Sequence, residues 1–194
     1  EYSGSGNRTA GQELPAAMNG AVIVNKSLAS ETITLSAGTN IAGLTVTQGV
    51  FDDSGFSSTL SAASSVSING TLTVAASGLV TVAAGQTLTM NGTMNLNGGG
   101  NQLDIPGSTI VIGPSSTING AGLIKADANG TVRMQAATLV PANYTSAWIY
   151  CLIVDRATNV TYTGGLSVGN GGLQLANTGD LFVNCGSLAI IDGI

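Results

Sequence analysis

The sequence predicts an all-β fold, a parallel β-solenoid wound as a right-handed β-helix, and three observations point to it. Short apolar–polar–apolar triplets recur along the chain, among them Val66-Ser67-Ile68, Leu72-Thr73-Val74 and Val80-Thr81-Val82. Corners rich in Gly, Asn, Ala and Ser arrive every six to ten residues, faster than the roughly 8–12 of a β-sandwich, which is the alternative architecture. Full charges are few: five Lys or Arg and ten Asp or Glu among 194 residues.

Each observation has a physical reason. Alternation with period two turns one face of every short strand inward. A chain that corners this often, with strands this short, winds a solenoid. There each strand pairs with its equivalent one turn above and below, about 4.8 Å away, so like side chains stack. Stacked Val, Leu and Ile fill the interior and stacked Thr or Asn share hydrogen bonds outside, whereas stacked like charges repel. A charged fraction of 8%, against about 25% in ordinary domains, follows from that geometry.

Residues 1–21 read as an N-terminal entry or capping segment. Their one run of helix formers, Gln12 to Met18, is interrupted by Pro15, which removes a backbone donor and clashes with the preceding turn. Residues 22–194 read as the solenoid. Its expected strands are 22–24, 33–35, 44–46, 66–68, 72–74, 79–82, 88–90, 94–96, 103–105, 110–112, 123–124 and 132–134. A longer strand at 148–154 follows, then 160–162, 166–168, 173–175, 181–183 and 188–190.

An Asn-Gly-Thr corner recurs at Asn69, Asn91 and Asn129, with Asn119-Gly120 a looser copy. Asn69 and Asn91 are 22 residues apart, a plausible single turn, and the following steps of 28 and 10 imply insertions at corners. Asn-Gly is also the strongest hairpin signal. It suits a solenoid corner equally, where Asn enters the left-handed region and Gly offers no side chain to clash. The repetition of corners favours the solenoid.

Composition excludes several functions. A hydrophobic fraction of 43% and a mean hydropathy of +0.36 are wrong for a disordered chain. Five basic residues at a net charge of −5 cannot displace counterions from nucleic acid. Without histidine there is no Ser-His-Asp triad, no Cys-His pair and no His-containing zinc site, and two cysteines cannot build a Cys₄ site. No catalytic residue, cofactor or metal is therefore expected. The longest apolar run, 147–154, is far short of the roughly 20 residues of a spanning helix. The opening carries no basic-then-apolar leader, which suggests a mature, processed or excised chain. The end, Leu188 to Ile194, keeps strand rhythm, so the chain is expected to continue there or to receive another copy.

From Tyr150 the sequence resembles a specific group. Tyr150-Cys151-Leu152-Ile153-Val154, then Asn159-Val160-Thr161-Tyr162-Thr163-Gly164-Gly165, and Leu173-Gln174-Leu175-Ala176-Asn177-Thr178-Gly179-Asp180-Leu181 are similar to solenoid segments of large secreted surface proteins of Bacteroidetes, exported by the type IX system. The opening, Tyr2 to Asn7, with 22–25 and 41–46, resembles the entry of such segments. Arg8 stands where that pattern usually has Trp, and Cys151 where it has Asn. The resemblance implies an extracellular, cell-surface adhesin, stalk or filament component that associates with itself or with adjoining segments of a longer chain. It implies no catalytic residues. Surface glycans are the alternative partner, through a carbohydrate-binding or polysaccharide-cleaving β-helix.

Five features are candidate sites. Cys151 and Cys185, 34 residues apart, can bridge if they sit one turn apart, about 4.8 Å, but not two; otherwise they are buried thiols. Thr-x-Thr pairs at Thr32, Thr45, Thr71, Thr87 and Thr161 start at irregular intervals, which disfavours the flat threonine array of β-helical ice-binding proteins and favours ordinary exposed strand faces. Asp52-Asp53 lies in a Gly/Ser-rich stretch and reads as solvated or turn-capping. Lys125, Asp127 and Arg133 gather around the Asn129 corner and read as a surface ion pair. Seven Asn-x-Ser/Thr sequons, at Asn7, Asn25, Asn69, Asn91, Asn129, Asn143 and Asn159, carry meaning only for a eukaryotic source.

Overall fold

The computed structural model describes residues 1–10, 14, 17–60, 66–136, 144–145, 148–156, 160–163, 166–176, 181–184 and 188–190. Every described strand pairing is parallel. That is a β-solenoid; a sandwich built on hairpins would pair antiparallel.

The strands stack on three faces. Face I carries β1 (Tyr2–Gly4), β3 (Ala17–Lys26), β5 (Asn40–Gln48), β8 (Val66–Ile68), β11 (Thr87–Met90), β14 (Thr109–Ile112), β17 (Thr131–Met134), β18 (Ile149–Val154) and β20 (Leu166–Leu175). Face II carries β2 (Arg8–Ala10), β4 (Thr32–Leu35), β6 (Val50–Asp52), β9 (Thr71–Val74), β12 (Thr93–Leu96) and β15 (Thr117–Gly120). Face III carries β7 (Ser57–Leu60), β10 (Leu79–Val82), β13 (Asn101–Asp104) and β16 (Leu123–Lys125), and joins face I through the start of β5. Further along, β19 (Val160–Thr163) pairs with β21 (Leu181–Asn184), and β22 (Leu188–Ile190) pairs with the start of β20. The chain runs from face I to II to III and back.

The interior is a set of stacked columns. On face I, Val22, Leu44 and then Val66, Leu88, Ile110, Val132 and Leu152 occupy equivalent inward positions. A parallel column runs Val24, Val46, Ile68, Met90, Ile112, Met134 and Val154. All are buried. Each contributes about 1.5–3 kcal/mol of burial, and truncating one to Ala costs about 2–5 kcal/mol. Because neighbours on the axis are themselves apolar, every rung dries the next.

Corner chemistry differs by position, and here the structure corrects the sequence reading. The Asn69-Gly70 and Asn91-Gly92 corners join face I to face II. Both amides of each pair donate to one carbonyl a turn earlier, Val46 O (2.8 and 2.9 Å) and Ile68 O (2.8 and 3.0 Å). Neither Asn has positive φ. Glycine is required for space instead: a Cβ on Gly70 would lie 2.5 Å from Gly49 O, and one on Gly92 would strike the Asn69 and Gly70 carbonyls. The Asn129 corner joins face III to face I, so it is not a third copy. Asn129 (φ 58°) follows Gly85 (φ 78°) and Gly107 (φ 60°), the left-handed residues of this corner on the two preceding turns. Asn119-Gly120 is the end of β15. The step of 28 residues thus compares different corners.

Five strands, β1, β2, β6, β7 and β15, were not expected from the sequence, because Arg8-Thr9-Ala10, Ser57-Ser58-Thr59 and Thr117-Ile118-Asn119-Gly120 are too polar or too short in apolar residues to show alternation. Within the expected entry segment 1–21, β1 and β2 already lie in register on β3 and β4. The winding therefore starts inside that segment. Residues 191–194, where continuation or stacking was expected, lie outside the described residues.

Two glycine substitutions separate steric need from backbone need. Gly85→Ala, with open space around its Cβ, should lose about 1–2 kcal/mol from left-handed strain alone. Gly92→Ala meets backbone that cannot rotate away and should lose about 3 kcal/mol or more. Urea denaturation followed by circular dichroism measures both; equal losses would contradict the close-approach account.

Candidate functional site

Among the described residues two buried polar clusters interrupt the apolar interior; Asp52 and Asp53 both cap a turn as expected, but Asp53 is buried rather than solvated, and the Lys26 cluster was not expected from the sequence. The first lies at the face II to III corner. Asp53, one residue beyond β6, takes an inward position between Leu35 and Val74 and is fully buried. Its Oδ1 accepts from Gly55 N (3.0 Å) and from Ala75 N one turn later (2.8 Å), while Oδ2 has no hydrogen-bond partner. Asp52 points the other way and accepts from Ser54 N at 2.8 Å. Gln102, also buried, reaches the same 75–78 corner from the far side. Its Nε2 donates to Ala75 O at 2.5 Å and its Oε1 accepts from Gly98 N at 2.6 Å. Two consecutive inward residues, Gln102 and Leu103, produce the register shift in β13. A carboxylate below and an amide above thus clamp one corner. Burial pushes the Asp53 carboxyl up, partly offset by the Ala75 and Gly55 amides.

The second cluster lies at the face I to II corner of the early turns. Lys26 continues the inward phase of Val22 and Val24 and is 1% exposed. Its Nζ makes no hydrogen bond, and its stem packs where a Gly49 side chain would be. Nearby Glu31 accepts from Gly6 N and from Leu28 N (3.0 Å). The Gly6 amide holds its carboxyl below the usual value against burial, with help from Leu28 and the Lys26 charge. Asn7 Oδ1 accepts from Thr32 N at 2.9 Å in the same corner. Strand alternation was the signal that Lys26 points inward.

The expected surface pair of Lys125, Asp127 and Arg133 is rearranged. Arg133 pairs with Asp155 at 2.7 Å, one turn on, and Gln135 donates to the same oxygen at 2.9 Å. Gln135 first, then Arg133, hold the Asp155 carboxyl below its ordinary value against burial. Arg156 donates to Gln135 O at 2.7 Å. Lys125 lies in register with Asp104 instead, so adjacent rungs place opposite charges side by side.

Thr-x-Thr pairs do not stack on one another. Thr71, Thr93 and Thr117 form one column and Thr87, Thr109 and Thr131 another, but the adjoining positions are Thr73, Asn95, Asn119 and Thr89, Val111, Arg133. The outward polar groups bond to each other along the axis. Asn91 Nδ2 donates to Asn69 Oδ1 (3.0 Å), Asn95 Nδ2 to Thr73 Oγ1 (3.3 Å) and Asn119 Nδ2 to Asn95 Oδ1 (3.1 Å).

Cys151 is a buried free thiol, raised by burial and in register with Thr131 and Gly172; Cys185, its expected partner, lies outside the described residues. Among the described residues no three His, Cys, Asp or Glu could hold a metal ion, and no helix is long and apolar enough to cross a membrane. A pocket of about 240 Å³ is lined by Glu1, Tyr2, Ser3 and Arg8. Compared with family models, curated proteins and solved structures, the chain matches none.

The buried carboxyl gives a pH prediction. A carboxyl raised on folding contributes stability below its unfolded value, and that contribution is lost as pH rises through the folded one. Asp53→Asn keeps the oxygen that accepts two amides and discards the charge. Melting temperature measured from pH 4 to 8 should fall less with rising pH in Asp53→Asn than in the natural chain. Parallel profiles would remove Asp53 from the account. Asp155 has the opposite sign, its contribution being lost as pH falls through its lowered value.

Proposed function

We propose that this chain is a structural protein of the extracellular cell surface, an adhesin-like stalk or filament subunit that associates with itself. The observation that carries this reading is the outward ladder. Asn69–Asn91 and Thr73–Asn95–Asn119 give their hydrogen bonds to the neighbouring rung, so exposed polar side chains hold the stack together. A parallel stack lengthens by adding rungs at the same spacing, and a second copy docks by that geometry. The resemblance to secreted surface solenoids adds weight from the sequence side.

A carbohydrate-directed module is the second reading, and binding is its better-supported half. Glycoside cleavage needs two free carboxyls facing a bond, whereas Asp53 and Glu31 are held by backbone amides and Asp155 by Arg133. The sole tryptophan, Trp148, stands partly exposed beside partly exposed Tyr150, which favours a surface for sugars.

Sedimentation velocity over a concentration series, with negative-stain images of the same samples, tests the structural reading. End-to-end assemblies of uniform width, growing with concentration, are expected. A strictly monomeric species throughout would remove self-association. Catalytic release of reducing or unsaturated sugars from a polysaccharide would replace the structural reading with an enzymatic one.

A further inference from the structure

Aromatic residues make up 4% of this chain, yet Trp148 and Tyr150 flank one core residue. Ile149 between them is buried, so both rings point outward, and both keep part of their surface in solvent. Each ring lies along the next rung. The six-membered ring of Trp148 occupies the space a Gly169 side chain would need, and Tyr150 Cδ1 and Cε1 would lie 2.8 Å from a Cβ on Gly171. The rungs on both sides make room. After pairing with Ile149, β20 passes from Val168 to Gly172 before it meets Cys151, so 169–171 bulge around the rings. On the preceding rung Tyr150 N donates to Ala126 O (3.0 Å) and Cys151 N to Gly130 O (3.2 Å), so the turn 127–129 bulges out beside Tyr150.

The result is a trough across the rungs. Its floor is two aromatic rings resting on Gly169 and Gly171, and the polar turn 127–129 forms a wall beside them. That wall carries exposed Asn129, held in the left-handed region, and half-buried Asp127, whose Oδ1 is shielded and has no hydrogen-bond partner.

We infer that this trough binds a neutral oligosaccharide. A sugar ring has an apolar C–H face, which stacks on an aromatic ring, and a rim of hydroxyls that both donate and accept. The wall matches that rim: the exposed Asn129 amide both donates and accepts. Strand rise sets residues two apart at about 6.6 Å, so two neighbouring rings offer a continuous floor to consecutive sugar units. A nucleic acid would also stack on aromatics, but its phosphates would meet Asp127 and a chain of net charge −5. This site is independent of self-association, so sedimentation and sugar binding can fail separately.

Trp148 is the only tryptophan, and its emission reports on the trough directly. The full chain is titrated with cellohexaose, xylohexaose, mannohexaose and maltohexaose, with calorimetry alongside. At least one sugar should change the emission saturably. Trp148→Ala and Tyr150→Ala should each weaken the calorimetric affinity about tenfold or more, with melting temperature checking the fold. Trp148→Phe, which keeps an aromatic floor, should stay within a few-fold of the natural chain and serves if the alanine variant unfolds. Three results would overturn the inference: no saturable change with any of the four sugars, affinity unchanged in both alanine variants, or binding of a proline-rich peptide at the trough in place of sugar.

Discussion

Register is the constraint on which everything else in this molecule depends. Parallel strands stacked one turn apart bring like positions into contact, so a residue must suit both its own turn and the two beside it. Leu88 is acceptable because Val66 and Ile110 are its axial neighbours. The same rule reaches the corners, where Gly92 packs on the carbonyls of Asn69 and Gly70. It reaches the surface as well, where Asn95 is bonded to Thr73 on one side and Asn119 on the other. A local error in such a stack is felt by its neighbours and little beyond them, since each repeat contacts only the adjoining repeats.

Charge obeys the same constraint. Where charged residues approach along the axis they alternate in sign or leave the column. Lys125 stands beside Asp104, and Arg133 reaches Asp155 diagonally rather than its direct register partner Ile153. The inward exceptions, Asp53 and Lys26, are tolerated at corners, where backbone amides or glycine neighbours are available. The proposed structural role and the proposed saccharide trough draw on different parts of this scheme. One uses the regular ladder; the other uses the region around 127–129 and 169–171, where the ladder is broken by bulges.

How much was legible varies with the strength of the apolar signal. Strands such as β9, β10, β11 and β14 were visible because Leu, Val, Ile or Met alternates with Thr or Val within four residues. Strands β2 and β7 were hidden because their pairing comes from neighbours rather than from their own side chains. The trough was hidden for a related reason. In the sequence Trp148 belongs to a long apolar run and Tyr150 opens the motif of the resemblance, and nothing local says that glycines of the next turn lie beneath them.

The sequence by itself determined the class of fold, since period-two alternation, frequent corners and scarce charge are local properties that survive without coordinates. It also determined that histidine chemistry is absent. Only the tertiary structure decided which corner each Asn-Gly occupies, that Asp53 and Lys26 face inward, and which charges meet. Those outcomes depend on the number of residues between equivalent positions on successive turns. A shift of one residue there reverses every side chain from inside to outside, and that count is set by the stacking of whole turns, not by any one of them.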